Sequence, residues 1–410
     1  MATVVQPSQQ FTYGYNASPS ASVGDSANEA LDISGVLDTL KATDVPLLTL
    51  IGKDSLQTPC TQVKHEWLED EIRGLTATTT DADLNNTTDN GSAVTLTLVT
   101  AGDYLKFRGA AVATGPCDIV RIYSTAGMEI APVVATANNT IDVIRGYFAG
   151  SDPVDHTGYT KTIEIIGTFQ PQGKTTVGAQ RTTLKDPKYN YTQIFEDSYT
   201  ANETFRATRK YIRHNEEAYQ FGLIAENMGR LFERTLLYGE RVAPSSSVGG
   251  SMQGIVGTLS TNVYDKNQAI LQETHLTDAL QAMWEQGAGD EDGVYMFVNG
   301  PQHRRLGQLL DPYRQVGYSD RSLGTWIDRF RTPFGNATVV LDRHVDKGDV
   351  IVIDKSRIGF GPLTGRALGM SPIAPTSREA QVWQWTGEYT AEVRQEKAHA
   401  YINDLAQSGF

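Results

Sequence analysis

FRATRKYIRHNEEAYQFGLIAENMGRLFERTLLYGE, residues 205–240, is the longest periodic segment of the chain. Phe221, Ile224, Ala225, Met228, Leu231, Phe232, Thr235 and Leu236 recur at the three-and-four spacing that lines one face of a helix. Asn202 stands where a cap would begin, Glu203, Glu216 and Glu217 lie toward the positive end, and Glu226 precedes Arg230 by one turn. Gly239 is a stop signal. An unbroken helix between the Asn202 cap and the Gly239 stop would have about 35 residues and a length of roughly 50 Å. That exceeds the usual globular helix and suits a strut across an extended subunit. The competing reading is two ordinary helices broken near Gly222.

On the N-terminal side of the strut, YNYTQIF (189–195) reads as a strand that can pair with TQVKHEWL (61–68). In the latter Val63, His65 and Trp67 share one face. Between them the character changes. LTATTTDADLNNTTDN (75–90) reads as a polar loop, followed by short strands at 94–99, 104–108, 117–124, 128–135, 140–146 and 161–169. Their spacing and their Gly- and Asn-containing turns predict a small antiparallel barrel or sandwich, inserted at the tip of a long β arm. Residues 1–30 are poor in aliphatics and read as an extended arm with aromatic anchors at Phe11, Tyr13 and Tyr15. Ile33, Val36, Leu37 and Leu40 fit a short helix, Pro46 ends anything helical before it, and the run from Leu47 to Ile51 calls for burial.

On the C-terminal side, a Gly/Ser-rich link (241–262) leads to a helix at 275–287 capped by Thr274 or Thr277. A buried strand follows at 294–300, then a helix opened by Pro301. Strands at 336–343, 349–355 and 381–389 complete a mixed α/β part.

The formal net charge is −13, with 20% charged residues. No basic footprint exists for sequence-specific nucleic-acid binding. Cys60 and Cys117 form no disulfide framework, the first 30 residues have no signal-peptide pattern, and no apolar run is long enough to span a bilayer. A reducing cytoplasm is the expected folding compartment.

Several motifs imitate chemistry. His65-Glu66 begins like a zinc-protease signature, but Glu69 stands where the second histidine belongs, and the run is a strand. Gly173-Lys174-Thr175 resembles a phosphate loop with five residues after Gly167 where four are required, and with no helical pattern behind it. The acidic residues 290–292 read as a solvated loop more readily than as a cation site. No nucleophile elbow and no pair of histidines at ligand spacing occurs. The sequence therefore predicts no enzyme, no metal and no cofactor.

TPCTQVKHEWLEDEI (58–72), VIRGY (143–147), NYTQIFEDS (190–198), VNGPQHRRL (298–306), GDVIVIDKSRI (348–358) and GEYTAEVRQEKAHAYI (387–402) together resemble the major capsid proteins of tailed bacteriophages. The branch is the one with a β insertion in the extended loop. The resemblance implies an α+β, HK97-like major capsid fold with an inserted small antiparallel β-barrel or sandwich domain. It also implies a division into an N-terminal arm (1–52), an extended β-hairpin loop (53–75 and 178–200), an inserted β domain (76–177), a peripheral domain with a spine helix (201–262), an axial domain (263–380), and a return to the peripheral domain (381–410). The implied product is an icosahedral head of hexamers and pentamers around double-stranded DNA, assembled in the host cytoplasm. Portal protein, scaffold or decoration proteins and non-specifically contacted DNA are the implied partners, with no membrane. Intersubunit candidates are Glu66, Trp67, Glu69, Asp70 and Glu71 on the extended loop, and Arg206, Arg209, Lys210 and Arg213 on the spine helix. No lysine–asparagine cross-link pair is assigned. A tail or fibre protein and an encapsulin-like compartment shell are the alternatives.

Overall fold

The computed structural model describes residues 44–52, 55–72, 74–79, 84, 91–100, 102–148, 152–173, 185–208, 216–288, 293–310, 329–373 and 379–407. The chain divides into two compact units, Met1–His65 with Tyr189–Phe410, and Glu66–Lys188.

Helix α1 (Pro46–Ile51) carries its proline in the first turn, where a missing N–H is harmless, and buries Leu47, Leu48 and Ile51. Pro46 thus opens a helix, and the one it was expected to end lies outside the described residues. The short helix expected around Ile33–Leu40 lies outside the described residues. Strand β1 (Lys64–Glu69) follows.

The second unit is one antiparallel sheet of β2 (Thr76–Thr79), β3 (Ala93–Thr97), β4 (Cys117–Ser124), β5 (Gly127–Ala137), β6 (Thr140–Ile144) and β7 (Lys161–Phe169). The order is β2-β7-β4-β5-β6-β3. The end strands also meet, since Thr79 and Leu98 form an antiparallel bridge and the Val99 N–H donates to the Thr78 carbonyl at 2.9 Å. Leu96, Val120, Ile122, Val133, Ile141, Val143 and Ile163 fill the core. Asn138 and Asn139, at φ 43° and 72°, form the tight β5–β6 turn that asparagine tolerates. Two expectations fail. Residues 104–108 are not a strand: Gly102, at φ 89°, turns the chain into a 3₁₀ turn over Asp103–Lys106, closed by a 2.9 Å Lys106–Asp103 ion pair. The polar stretch at 75–90 holds β2, where Ala77 and Thr79 point inward between threonines that favour the pleated backbone.

Strand β8 (Asp186–Tyr191) pairs with β1. Strand β9 (Gln193–Asn202) runs along β17 (Ala380–Val393), from the pair Gln193–Tyr389 to the pair Asn202–Ala380. The unbroken strut over 202–240 does not form. Helix α2 (Glu203–Ala207) ends on Thr208, whose backbone is extended and whose N–H closes the turn on Thr204. Asn202 occupies the cap position without a side-chain capping bond, because it is still held in the β9 ladder. Helix α3 (Glu216–Tyr238) has 23 residues, or roughly 34 Å. Gly222 lies inside it without a break. Gly239 ends α3 by close approach: a Cβ on Gly254 would sit 2.6 Å from the Gly239 nitrogen, so only two glycines let these backbones meet.

After α4 (Ile255–Thr258) come β10 (Val263–Ala269), α5 (Glu273–Glu285), β11 (Val294–Val298), α6 (Gly300–Leu310), β12 (Arg329–Thr332), β13 (Gly335–Leu341) and β14 (Val350–Asp354). The cap of α5 falls on Gln272, without a side-chain bond, and not on Thr274 or Thr277. Then β15 (Ile358–Pro362), β16 (Gly369–Ile373), β17 and β18 (Ala400–Leu405) close the chain. Strand β17 holds β9 on one side and β15 and β16 on the other. The larger sheet has the order β10-β18-β14-β11-β13-β12, so residues 381–410 divide between the two sheets.

Strands β11 and β14 are apolar on both faces, as central strands must be when both sides are covered. Met296, Val298, Val350 and Val352 pack with Leu276, Leu280 and Met283 of α5. Phe297, Ile351 and Ile353 belong to the opposite core, with Met228, Phe232 and Leu236 of α3 and with Leu47 and Leu48 of α1.

Candidate subunit interface

Strand β1 alternates sharply. His65 is buried, Trp67 is half-buried with its indole N–H donating to Glu69 Oε1 at 2.8 Å, and Glu66, Leu68 and Asp70 are exposed. Glu71 is exposed beside Ile72, whose side chain is 98% accessible; Leu68 is 65% accessible. Acidic and large apolar side chains therefore share one solvent-facing stretch.

Arg206 is engaged within its own chain. Its Nε lies 2.6 Å from Glu217 Oε1, and its Nη1 lies 3.4 Å from Glu203. An acidic partner would have to compete with those carboxylates. Arg209, Lys210 and Arg213 lie outside the described residues, as do Lys174, Thr175 and the acidic residues 290–292. Gly173, at φ 72°, is a turn residue after β7.

His65 has a clear structural role. Its Nε2 lies 2.6 Å from Glu392 Oε1, with both side chains nearly inaccessible. Glu392 Oε2 also accepts from Arg394 Nη1 at 3.1 Å and from the Gln57 N–H at 3.3 Å. Bonding to the Cys60 side chain, and next to Glu392, holds the imidazole charged and pushes its pKa to about 9 against the opposing effect of burial. The residues leading into β1 are thereby pinned to the end of β17.

Sequence reasoning missed this pair, because Glu392 is 327 positions away. It also missed Asn190, whose four hydrogen-bonding positions are all used. Its amide donates to the Gln253 and Ala391 carbonyls, and its oxygen accepts from the Gln253 and Tyr191 N–H groups, at 2.8–3.0 Å. On the wet side of the same region, Lys64 Nζ and the Arg241 guanidinium each lie 4.3 Å from the Tyr189 ring centre, within cation–π range. The only local sequence hints were a buried-looking asparagine in YNYT and cations beside tyrosines.

A groove of about 670 Å³ beside α2 is lined by Thr200, Asn202, Thr204, Phe205, Thr208, Glu379 and Ala380, with Glu379 its single ionisable side chain. Among the described residues no group of three His, Cys, Asp or Glu side chains is arranged to hold a metal ion, and no helix is long and apolar enough to cross a membrane. The geometry offers surfaces for association and long polar anchors.

The family described as SU10 major capsid protein matches residues 8–406. No curated protein sequence matches significantly. Among solved structures, the holo-SrpI encapsulin complex of Synechococcus elongatus is 9% identical over 56% of this chain and 79% of its own, with a TM-score of 0.41. Gordonia phage Cozz gives 13% identity, 58% and 78% coverage, and a TM-score of 0.41. The capsid of the native GTA particle gives 10%, 58% and 80%, and 0.42.

Proposed function

The chain belongs to the SU10 major capsid protein family, and we propose that it assembles as hexamers and pentamers into the icosahedral head enclosing double-stranded DNA. The observation that carries the reading is the exposed apolar and acidic stretch from Glu66 to Ile72. Covering Leu68 and Ile72 on a second copy would stabilise assembly by about 1.5–3 kcal/mol for each side chain fully buried. In this reading residues 1–52 are the arm, 53–75 with 178–200 the extended loop, and 76–177 the inserted domain, a small closed β-barrel. Residues 201–262 are the peripheral domain, 263–380 the axial domain, and 381–410 the return. Trp67 lies at the same interface, and Glu66, Glu69, Asp70 and Glu71 meet Arg206, Arg209, Lys210 and Arg213 of a neighbouring copy. These charges set register more than strength, because desolvation offsets much of the attraction. The head forms in the host cytoplasm, with portal and scaffold or decoration proteins as partners and DNA contacted non-specifically.

Electron microscopy of the purified full chain tests this. Closed angular shells bearing hexamers and pentamers are expected. A compact monomer under every assembly condition would overturn the reading. Deleting 76–177 and joining the ends with a short turn is expected to give unstable or misassembled shells, and wild-type shells would show the inserted domain dispensable.

A further inference from the structure

Helix α1 has no cap of its own. Val45 occupies the cap position without a side-chain bond, and Pro46 has no N–H to offer. The missing acceptor comes from α3. The Leu47 N–H donates to Glu233 Oε1 and the Leu48 N–H to Glu233 Oε2, both at 2.7 Å. Glu233 is fully buried. Beside it stands Asp342, just past β13 and 1% exposed. One Asp342 oxygen accepts from the His344 N–H at 2.8 Å. The other is buried with no hydrogen-bond partner, and the two carboxyl groups are within hydrogen-bonding reach of each other.

Two carboxylates in contact cannot both be ionised in a dry site. Nearby, His344 favours a charged Asp342 through space and Asp44 disfavours it, and burial outweighs the first. Asp44, at the start of α1, is bonded to Arg343 at 3.0 Å, and His344 Nε2 lies 3.0 Å from the Asp44 carbonyl. Among the described residues no cation is bonded to Glu233 or Asp342. We propose that Glu233 and Asp342 share a single proton, and that this proton latches α1, the root of the N-terminal 43 residues, onto α3.

The pH range follows from the burial. Desolvation is the main cause that raises Glu233 from an ordinary 4.5 to about 8, and the neighbouring Asp342 charge adds to it against the pull of the Leu47 and Leu48 N–H groups. Burial raises Asp342 as well. The closed latch therefore holds its proton up to about pH 8, whereas an opened one loses it near 4.5. Opening of α1 becomes about tenfold more frequent per pH unit between those limits and levels off above. The apolar anchors Leu47, Leu48 and Ile51 oppose full release at every pH.

Hydrogen exchange of the full-length chain at pH 5.5, 6.5, 7.5 and 9, corrected for intrinsic exchange rates, tests the latch. Opening of residues 44–52 is expected to rise about tenfold per unit up to pH 7.5 and to flatten by pH 9, while α5 shows no such trend. Asp342→Asn places a fixed N–H where the proton sits and leaves both Glu233 oxygens for α1. Burial still raises Glu233, so opening is expected to keep rising with pH but to level off at a lower pH than in the wild type, because the neighbouring charge is gone and the amide favours the carboxylate. Opening of the wild type that does not change with pH, or an Asp342→Asn variant that levels off at the same pH as the wild type, would overturn the proposal. Infrared spectroscopy provides a second measurement on the unmodified chain. A protonated-carboxyl carbonyl band present at pH 6.5 and lost by pH 9.5 is expected, and absence of that band at pH 6.5 would equally overturn it.

Discussion

Replacing His65 by glutamine removes the charged partner of Glu392 without creating a large cavity. The imidazole pKa rises from 6.5 to about 9 on folding, and one pKa unit corresponds to about 1.36 kcal/mol. The charged form thus stabilises the fold by about 3 kcal/mol, and both side chains are buried enough for little of this to be lost to solvent screening. The sign follows from the direction of the shift. For a raised folded-state value, the stabilisation is complete below pH 6.5 and is lost as pH climbs through 9. The assay is urea unfolding of unassembled chain at pH 6, 8 and 10. It is read by tryptophan fluorescence, because Trp383 and Trp385 lie on β17, the strand that carries Glu392. The wild type should exceed His65→Gln by about 3 kcal/mol more at pH 6 than at pH 10. Taking the difference cancels the other titrating groups, including Glu233, whose raised value also lowers stability as pH rises. A wild-type advantage equal at pH 6 and pH 10 would refute the assignment of a buried imidazolium.

Phe232→Ala is expected to cost about 3–5 kcal/mol, because the ring is 2% exposed and meets Phe195 at 4.6 Å, Tyr389 at 4.8 Å and Phe360 at 5.8 Å; calorimetry or denaturant midpoints measure it. Arg145→Met should destabilise the unit Glu66–Lys188 by about 3–5 kcal/mol, since it strands the buried Glu129 now bonded at 2.9 Å. Hydrogen exchange should show the loss in β4 to β7 and spare β11 and β14. Gly254→Ala should cost about 1–3 kcal/mol or more, because its Cβ would fall 2.6 Å from the Gly239 nitrogen and 2.8 Å from the Thr235 carbonyl; a lowered melting temperature reports it.

The elements legible in the sequence are those whose own side chains decide their state. The apolar stripe of α3 and the runs VYMFV and VIVID belong to elements buried by those very residues. What was illegible depends on distant chain. Strand β10, for which the sequence offered no reading, has Asn267 and Gln268 at positive φ and is paired in parallel by β18 from more than 130 residues away. Strand β16 is exposed throughout and carries Pro372, so only its pairing with β17 makes it a strand. The helical segment does begin after Asn202, where the sequence placed its cap, but it ends on Thr208. Gly222, the local suspect, meets nothing within 4 Å of where a Cβ would stand, and a lone glycine costs only about 1 kcal/mol in a helix. The candidate interface was legible as composition, from Glu66 to Ile72, but the anchors that position it were not.

Those anchors share a physical logic. Glu233 reaches α1 across 185 and 186 positions, His65 reaches Glu392 across 327, and Asn190 reaches Ala391 across 201. Each joins a short segment to a large core, and each is a buried polar group with its bonds satisfied by specific partners. A short segment cannot be fixed by apolar burial alone, because that attraction has no direction and tolerates sliding. A buried polar group is directional, and leaving it unpaired costs about 1–3 kcal/mol. A slipped register is therefore penalised even where the apolar area is unchanged. Under the proposed assembly the segments that begin at α1 and at β1 meet neighbouring copies, and each must arrive in a fixed register. Long-range polar anchors supply that constancy where the segments themselves have too little core to do so.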